Sequence, residues 1–216
     1  MLDLKGKKVL VTAGPTHEPI DPVRFIGNHS SGKMGIAIAE EASKLGAKVT
    51  LVCGPSSISS SSNIRRINVV SAQEMFDTVM LELEPSDIVV CSAAVADYRP
   101  KVVAHQKIKK KDAKLTIELE PTPDILATVG KRKRMDQLLV GFALETENPL
   151  ENATLKLKNK NCDLMVLNTL QDPGAGFSYD TNKVSILDRH NNITTFELKS
   201  KAEVAVDLLR AIIAFK

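Results

Sequence analysis

Short, almost uninterrupted apolar runs recur along this chain, and they restrict its fold more than any other feature. They are Lys8–Thr12 (KVLVT), Lys48–Cys53 (KVTLVC), Ile67–Val70, Asp87–Ala94 (DIVVCSAA), Leu138–Ala143 and Asp163–Asn168. Runs of this length, rich in Val, Ile and Leu, read as strands covered on both faces. Helical patterns lie between them. Lys33–Leu45 puts Met34, Ala37, Ile38 and Ala42 on one face, and Gly46 follows as a C-terminal stop. Ser71 and Glu74 have capping-box spacing before a helix to Leu83. Further helices are read from near Asp124 to Arg134, over Leu150–Asn159 and over Lys201–Phe215. Strand–helix alternation of this kind predicts an α/β domain, Rossmann-like and three-layered, with a mainly parallel sheet.

Two stretches break the alternation. Ala13–Ser31 is a long loop after the first strand. Tyr98–Glu120 reads as an inserted arm, with a Lys-rich part and an alternating strand at Leu115–Leu119. A Ser-rich loop covers Pro55–Asn63, and a Gly/Pro loop after Asn168 leads to a hairpin turning at Asn191-Asn192. The 216 residues are expected to form a single domain, with the arm at about 98–120.

Composition narrows the function classes. Aromatics are 4% with no Trp, too few for a base-stacking surface, and a net charge of +3 does not suit a duplex-DNA binder, so nucleic acid is not expected as a partner. No run approaches the roughly 20 apolar residues of a membrane span, and the apolar start at Val9–Val11 is too short for a signal-peptide core. Cys53, Cys91 and Cys162 are far apart in strand-like runs and read as small hydrophobes of a reducing cytoplasm.

In sheets of this class, ligands bind beyond the carboxyl ends of the strands. The loop after the first strand, GPTHEPIDPVRFIGNHSSGKMG (Gly14–Gly35), leads Gly, Asn and Ser residues into a helix start, where free N–H groups and the dipole favour an anion. Within it, Gly27–Lys33 has Walker A spacing, but Met34 replaces the required Ser or Thr and the first strand ends well before it. The dinucleotide glycine pattern is absent, and the second strand ends Val52-Cys53-Gly54 with no acid to hold a ribose. Tyr179 and Lys183 have the spacing of a short-chain dehydrogenase pair but fall in a loop sequence, which weakens an oxidoreductase reading.

Lysines are distributed unevenly. Lys101–Lys114 holds six against the single acid Asp112, a local +5 that leaves the remainder at −2. After the fourth strand, such an arm is either a solvated face or a mobile cover for a polyphosphate. Lys131–Arg134 closes a helix and reads as structural. Lys156, Lys160 and Asn152 share a helix face, by themselves a solvent stripe. Asp97 follows two small alanines and is either a ligand carboxylate or a turn former. Phe142 lies at a strand end.

Three segments together are more specific. Gly14–Gly35, AAVADYRP (Ala93–Pro100) with KIKK (Lys107–Lys110), and GFALET (Gly141–Thr146) resemble, in order and spacing, the phosphopantothenate–cysteine ligases of the bacterial, CTP-using type. The resemblance spans nearly the whole chain. It implies an acid–amino-acid ligase of coenzyme A biosynthesis, active as a cytoplasmic homodimer with Mg²⁺. The carboxylate of 4′-phosphopantothenate attacks the α-phosphate of CTP, and the amine of L-cysteine then displaces CMP from the acyl-cytidylate. In many bacteria this ligase is fused to a flavin-dependent phosphopantothenoylcysteine decarboxylase. No such unit precedes Met1, so a stand-alone ligase or an excised domain is expected.

Carried over by motif, Asn28 resembles the family Asn that holds the acyl-cytidylate, and Lys107 the flap Lys that contacts the triphosphate. Asp97 resembles the carboxylate where nucleotide and substrate meet, with Ala93 and Ala94 lining the phosphopantothenate site. Arg24 resembles an Arg that reaches that substrate across the dimer interface. Gly14, Ser30, Gly32 and Gly35 would contact phosphate. Pro123, Asp124, Ile125, Leu126, Phe142, Lys156, Lys160 and Asn168 match nucleotide positions. The last site strand departs mildly, reading VLNTL in place of a paired Asn. Competing readings are a dehydrogenase-like oxidoreductase and a non-catalytic nucleotide or RNA binder that uses the lysine arm.

Overall fold

In the computed structural model, which describes residues 3–110, 114–169 and 179–215, the apolar runs assemble into one central sheet. The Gly/Pro loop at 170–178 and residues 111–113, near the end of the Lys-rich stretch, lie outside the described residues. In chain order the elements are β1 (Lys8–Ala13), β2 (His17–Pro19), β3 (Phe25–Gly27), α1 (Lys33–Lys44), β4 (Lys48–Cys53), β5 (Arg65–Asn68), α2 (Ala72–Leu83) and β6 (Ile88–Cys91). Then come β7 (Tyr98–Pro100), β8 (Leu119–Pro121), α3 (Ile125–Arg132), β9 (Leu138–Glu145), α4 (Pro149–Asn159) and β10 (Leu164–Thr169). The chain closes with β11 (Thr181–Asn182), β12 (Val184–Asp188), β13 (Ile193–Thr195), β14 (Lys199–Ser200) and α5 (Lys201–Ala214).

The eight-stranded sheet runs β13-β12-β10-β9-β6-β1-β4-β5. From β5 to β10 neighbouring strands are parallel, and β12 and β13 add an antiparallel edge. The α/β, Rossmann-like expectation is therefore met. Period-2 alternation directs the strand side chains to two cores. Val9, Val11 and Ala13 face Ile38, Ala42, Leu208 and Leu209 of α1 and α5. Leu10 faces Met75, Val79, Val129 and Leu157 of α2, α3 and α4 on the other side. The chain moves outward from β1 to β4 and β5, then returns to place β6 on the opposite side of β1. That reversal opens a crevice at the carboxyl ends of β1 and β6.

Four local expectations change. The long loop after β1 contains a hairpin, with His17↔Gly27 and Pro19↔Phe25 in register and His17 stacked on Phe25 at 3.7 Å between ring centroids. The third sheet strand starts at Arg65 rather than Ile67, because pairing to β4 fixes Thr50↔Arg65 through Cys53↔Asn68. At α2 only half the capping box forms. Ser71 accepts from Glu74 N–H, while the Glu74 carboxylate accepts from Val70 N–H at 2.6 Å. In the arm, strand pairing is confined to Leu119–Pro121 against Tyr98–Pro100. Leu115 stays exposed outside the paired segment.

The basic end of α3 is structural, as expected. Lys133, 8% exposed at its side chain, makes an ion pair with buried Asp163, and Arg189 reaches the other oxygen at 2.6 Å. The hairpin at Asn191-Asn192 also forms, with Asn191 at a φ of 66°.

Candidate active site

The crevice at the reversal of strand order is a cleft of about 750 Å³, a volume suited to one or two small-molecule ligands. Its floor is the end of β6 and the segment after it, Cys91–Asp97. This segment is tied down from β1 and the following turn. Thr12 Oγ1 accepts from Ala93 N–H at 3.1 Å, and Thr16 Oγ1 accepts from Ala96 N–H at 2.9 Å. Thr122 Oγ1 donates to Ala96 O at 2.6 Å and fastens the start of α3 to the same segment. Among the described residues, Ser92 Oγ is buried without a hydrogen-bond partner at this floor, a group a polar ligand atom would satisfy.

One wall is the segment entering α1. Gly32 takes a φ of 83° and precedes the first turn, which holds no acid. Its N–H is accepted by Ser30 Oγ at 3.3 Å. Gly35 packs onto β1 so closely that a Cβ would lie 2.6 Å from Ala13 Cβ, which brings the helix start down to the strand end. Asn28 lies across the cleft rim, donating through Nδ2 to Ala94 O and Val95 O at 3.0 and 3.1 Å.

The other wall comes from α3 and α4. Asp124 caps α3, accepting from Ala127 N–H at 2.8 Å, and receives Lys160 Nζ at 2.6 Å. Burial would raise the Asp124 carboxyl, but Lys160, the Ala127 N–H and the Lys156 charge outweigh it and hold the group below its ordinary value. Gly130 lets these helices touch, since a Cβ there would sit 1.9 Å from Lys160 O. Phe142 on β9 and Asn168 on β10 complete the strand-end row. Cys91 also lines the cleft, but burial, with smaller effects of Cys162 and Asp124, pushes its thiol up to about 12, so it is not a nucleophile at neutral pH.

The cleft thus gathers Asn28, Ser30, Gly32, Gly35, Ala93, Ala94, Asp97, Pro123, Asp124, Ile125, Leu126, Phe142, Lys156, Lys160 and Asn168. Three candidates do not line it. Gly14, at a φ of 80°, lies under Gly32 and against Gly54 and shapes the turn from below. Lys107 is exposed on the arm. Arg24 is held within its own chain: it pairs with Asp21 and donates to Ile108 O of the arm at 3.0 Å. Asp21 also accepts from Ile108 N–H at 3.1 Å, and the Arg24 guanidinium keeps its carboxyl far below the carboxylate range. Tyr179 and Lys183 lie on irregular backbone on either side of β11 and not on a helix.

The sequence reading passed over Lys33, Ser92, Asn182 and Lys201, all of which line the cleft. Lysine at the first position of a helix, against the usual preference for acids there, was the signal available for Lys33 and Lys201.

Comparison with known proteins agrees with the geometry. Residues 4–215 match the model of the DNA/pantothenate metabolism flavoprotein C-terminal domain. A crystal structure of the C-terminal domain of the coenzyme A biosynthesis bifunctional protein CoaBC superposes with a TM-score of 0.84 at 45% identity, covering 99% of this chain and 97% of that one. CoaBC of Haemophilus influenzae is 46% identical over 98% of this chain and 52% of its own length. A protein from an unidentified prokaryote named cysteine/cysteine sulfinic acid decarboxylase is 52% identical over 97% of this chain and 59% of its own length. The chain thus spans little more than half of these curated relatives. It belongs to the family of DNA/pantothenate metabolism flavoprotein C-terminal domains, the family represented by the C-terminal domain of CoaBC.

Proposed function

We propose that this chain is a CTP-dependent ligase of coenzyme A biosynthesis that joins 4′-phosphopantothenate to L-cysteine and releases CMP and pyrophosphate. The observation that carries the reading is the meeting, in one cleft, of the Ser30–Gly35 helix start, Asn28, Asp97, Phe142 and the Asp124–Lys160 pair. A nucleoside triphosphate and a phosphorylated acid repel each other, and bringing them into line is most of the catalytic task. Backbone N–H groups at α1 with Lys156 and Lys160 neutralise phosphate charge, and Phe142 packs against the base. The substrate carboxylate then attacks the α-phosphorus as the bond to the β-phosphate breaks. Asn28 holds the resulting acyl-cytidylate while the cysteine amine attacks its carbonyl, forms the amide and expels CMP. Lys107 joins the triphosphate when the arm closes.

Mg²⁺ would shield triphosphate charge in this site. Among the described residues no group of three or more His, Cys, Asp or Glu side chains could hold a metal by itself. The fit is therefore to an ion carried by the triphosphate, with Asp97 as the cleft carboxylate not engaged in an ion pair. A homodimer belongs to the same reading. Val23, Phe25, Tyr98, Val102, Leu115 and Leu119 are exposed apolar side chains on the hairpin and the arm, and Ala104 N–H donates to Ile20 O at 3.0 Å between them. Fusion to or association with a flavin-dependent decarboxylase and a cytoplasmic location complete it. No described helix is long and apolar enough to cross a membrane.

One assay decides. The protein is incubated with phosphopantothenate, cysteine and either CTP, ATP or NADH, and pyrophosphate, amide product and cofactor absorbance are followed. CTP-dependent pyrophosphate and amide formation is expected. Folded protein that releases no nucleotide-dependent pyrophosphate overturns the reading. The 52% identical relative supports a second reading, cysteine or cysteine sulfinate decarboxylation, which a parallel measurement of CO₂ release separates.

A further inference from the structure

Two lysines of the cleft have no part in the assignment above. Lys33 is the first residue of α1 and Lys201 the first of α5. The two helices pack on the same face of the sheet, opposite the face that carries α4 with Lys156 and Lys160. Both lysines line the cleft, beside Asn182 and Asn168. Each ammonium group adds to the positive end of its own helix, an arrangement that costs stability where acids are normally favoured.

Lys201 is only 8% exposed. Burial first, and then the nearby charge of Lys33, push its ammonium below the ordinary lysine value, while Asp180 opposes the shift. Its Nζ donates to the carbonyl of Tyr179 at 2.6 Å. Lys33 makes an ion pair with Asp180, whose side chain is 83% exposed. The other carboxylate at the start of α5, Glu203, is committed to the capping box with Ser200. Among the described residues, Asp180 is the carboxylate that faces both ammonium groups, and solvent can compete for it. Holding a half-exposed ammonium beside a buried one favours an anion between them.

We propose that Lys33 and Lys201 form a second cationic wall of the cleft that grips the terminal phosphates of the nucleoside triphosphate and the pyrophosphate it releases, a role that rests on the ligase reading above. A ligand lying along the strand ends is then straddled, with Lys156 and Lys160 on the α4 side and Lys33 and Lys201 on the α1–α5 side. Asp180 acts as a placeholder, occupying Lys33 until phosphate displaces it. Lysine suits this position, because a compact ammonium can follow a phosphate group from the triphosphate to the departing pyrophosphate.

The test is calorimetric titration of the folded chain with inorganic pyrophosphate and, separately, with CMP. Lys33→Gln and Lys201→Gln are each expected to weaken pyrophosphate binding by about tenfold or more, the loss of one charge-assisted hydrogen bond, while CMP binding is unchanged. Asp180→Asn is expected to tighten pyrophosphate binding. Lys44→Gln, at the far end of α1, leaves both unchanged. If Lys201→Gln does not fold, Lys33→Gln and Asp180→Asn decide. Absence of pyrophosphate binding to the wild-type chain, or unchanged binding in the folded lysine variants, overturns the clamp. Lysine-dependent pyrophosphate binding in a chain that makes no amide would overturn the ligase reading and leave the clamp standing.

Discussion

Asn28 is fastened to the segment it faces: its Nδ2 donates to Ala94 O at 3.0 Å and to Val95 O at 3.1 Å. Both donor hydrogens are therefore spent on orientation, and Oδ1 is the atom left to face a ligand. A carboxylate in its place offers no donor and repels both carbonyls. Asn28→Asp is expected to slow amide formation by at least about tenfold, the equivalent of two lost hydrogen bonds. Acyl-cytidylate should accumulate in a single-turnover experiment. Wild-type turnover in this variant would remove Asn28 from the mechanism.

Lys107 lies on the arm, exposed and away from the cleft lining. It can contribute only if the arm closes over bound nucleotide. Lys107→Gln is expected to lower the rate of pyrophosphate release by roughly ten- to a hundredfold, as for loss of a charge-assisted contact. Conversion of chemically prepared acyl-cytidylate to the amide by cysteine should be much less affected. Equal effects on both steps would place Lys107 elsewhere.

The arm is held down by Asp21, which binds Arg24 and accepts from Ile108 N–H at 3.1 Å. A carboxyl held below its ordinary range stabilises the fold at neutral pH and loses that contribution only as pH falls below about 4. Hydrogen exchange at the Ile108 amide should therefore be slow and steady, after correction for intrinsic rates, from pH 8 down to about 4, and faster below. In Asp21→Asn it should already be fast at pH 7.

Asp163 is 3% exposed at its side chain and answers Lys133, Arg189 and Leu139 N–H at once. Its removal leaves Lys133 buried without a counter-charge. Asp163→Ala is expected to cost about 3–5 kcal/mol in urea unfolding. A loss below about 1 kcal/mol would mean that Lys133 finds water instead.

Cys91 lines the cleft with its thiol pushed up to about 12. Iodoacetamide at pH 8 should leave it unmodified, and activity should survive the treatment. Rapid inactivation traced to Cys91 by mass spectrometry would contradict this.

Much of this molecule follows from local sequence. Period-2 and near-continuous apolar runs specified β1, β4, β6, β9 and β10, because burial on both faces leaves little choice of side chain. The Gly32–Gly35 helix start and the Asp124 cap were legible for a similar reason, since each is completed within a few residues. Pairing that spans the chain was not legible. The start of β5 at Arg65 is set by its register against β4, and the β2–β3 hairpin hides in a loop with no alternating pattern. The arm strand is limited to the three residues that pair with Tyr98–Pro100.

The site divides along the same line. Sequence alone determined which residue types were present, the glycine-rich helix entry, Asn28 and the lysines. Tertiary structure decided their grouping. It brought Asp124 onto Lys160, turned Arg24 inward to Asp21, and placed Lys33 beside Lys201, which lie far apart in the chain. Charge proximity across such distances depends on how α1 and α5 pack against one sheet. No local pattern encodes it, because the energy that fixes it is the burial of their apolar faces and not the attraction or repulsion of the charges themselves.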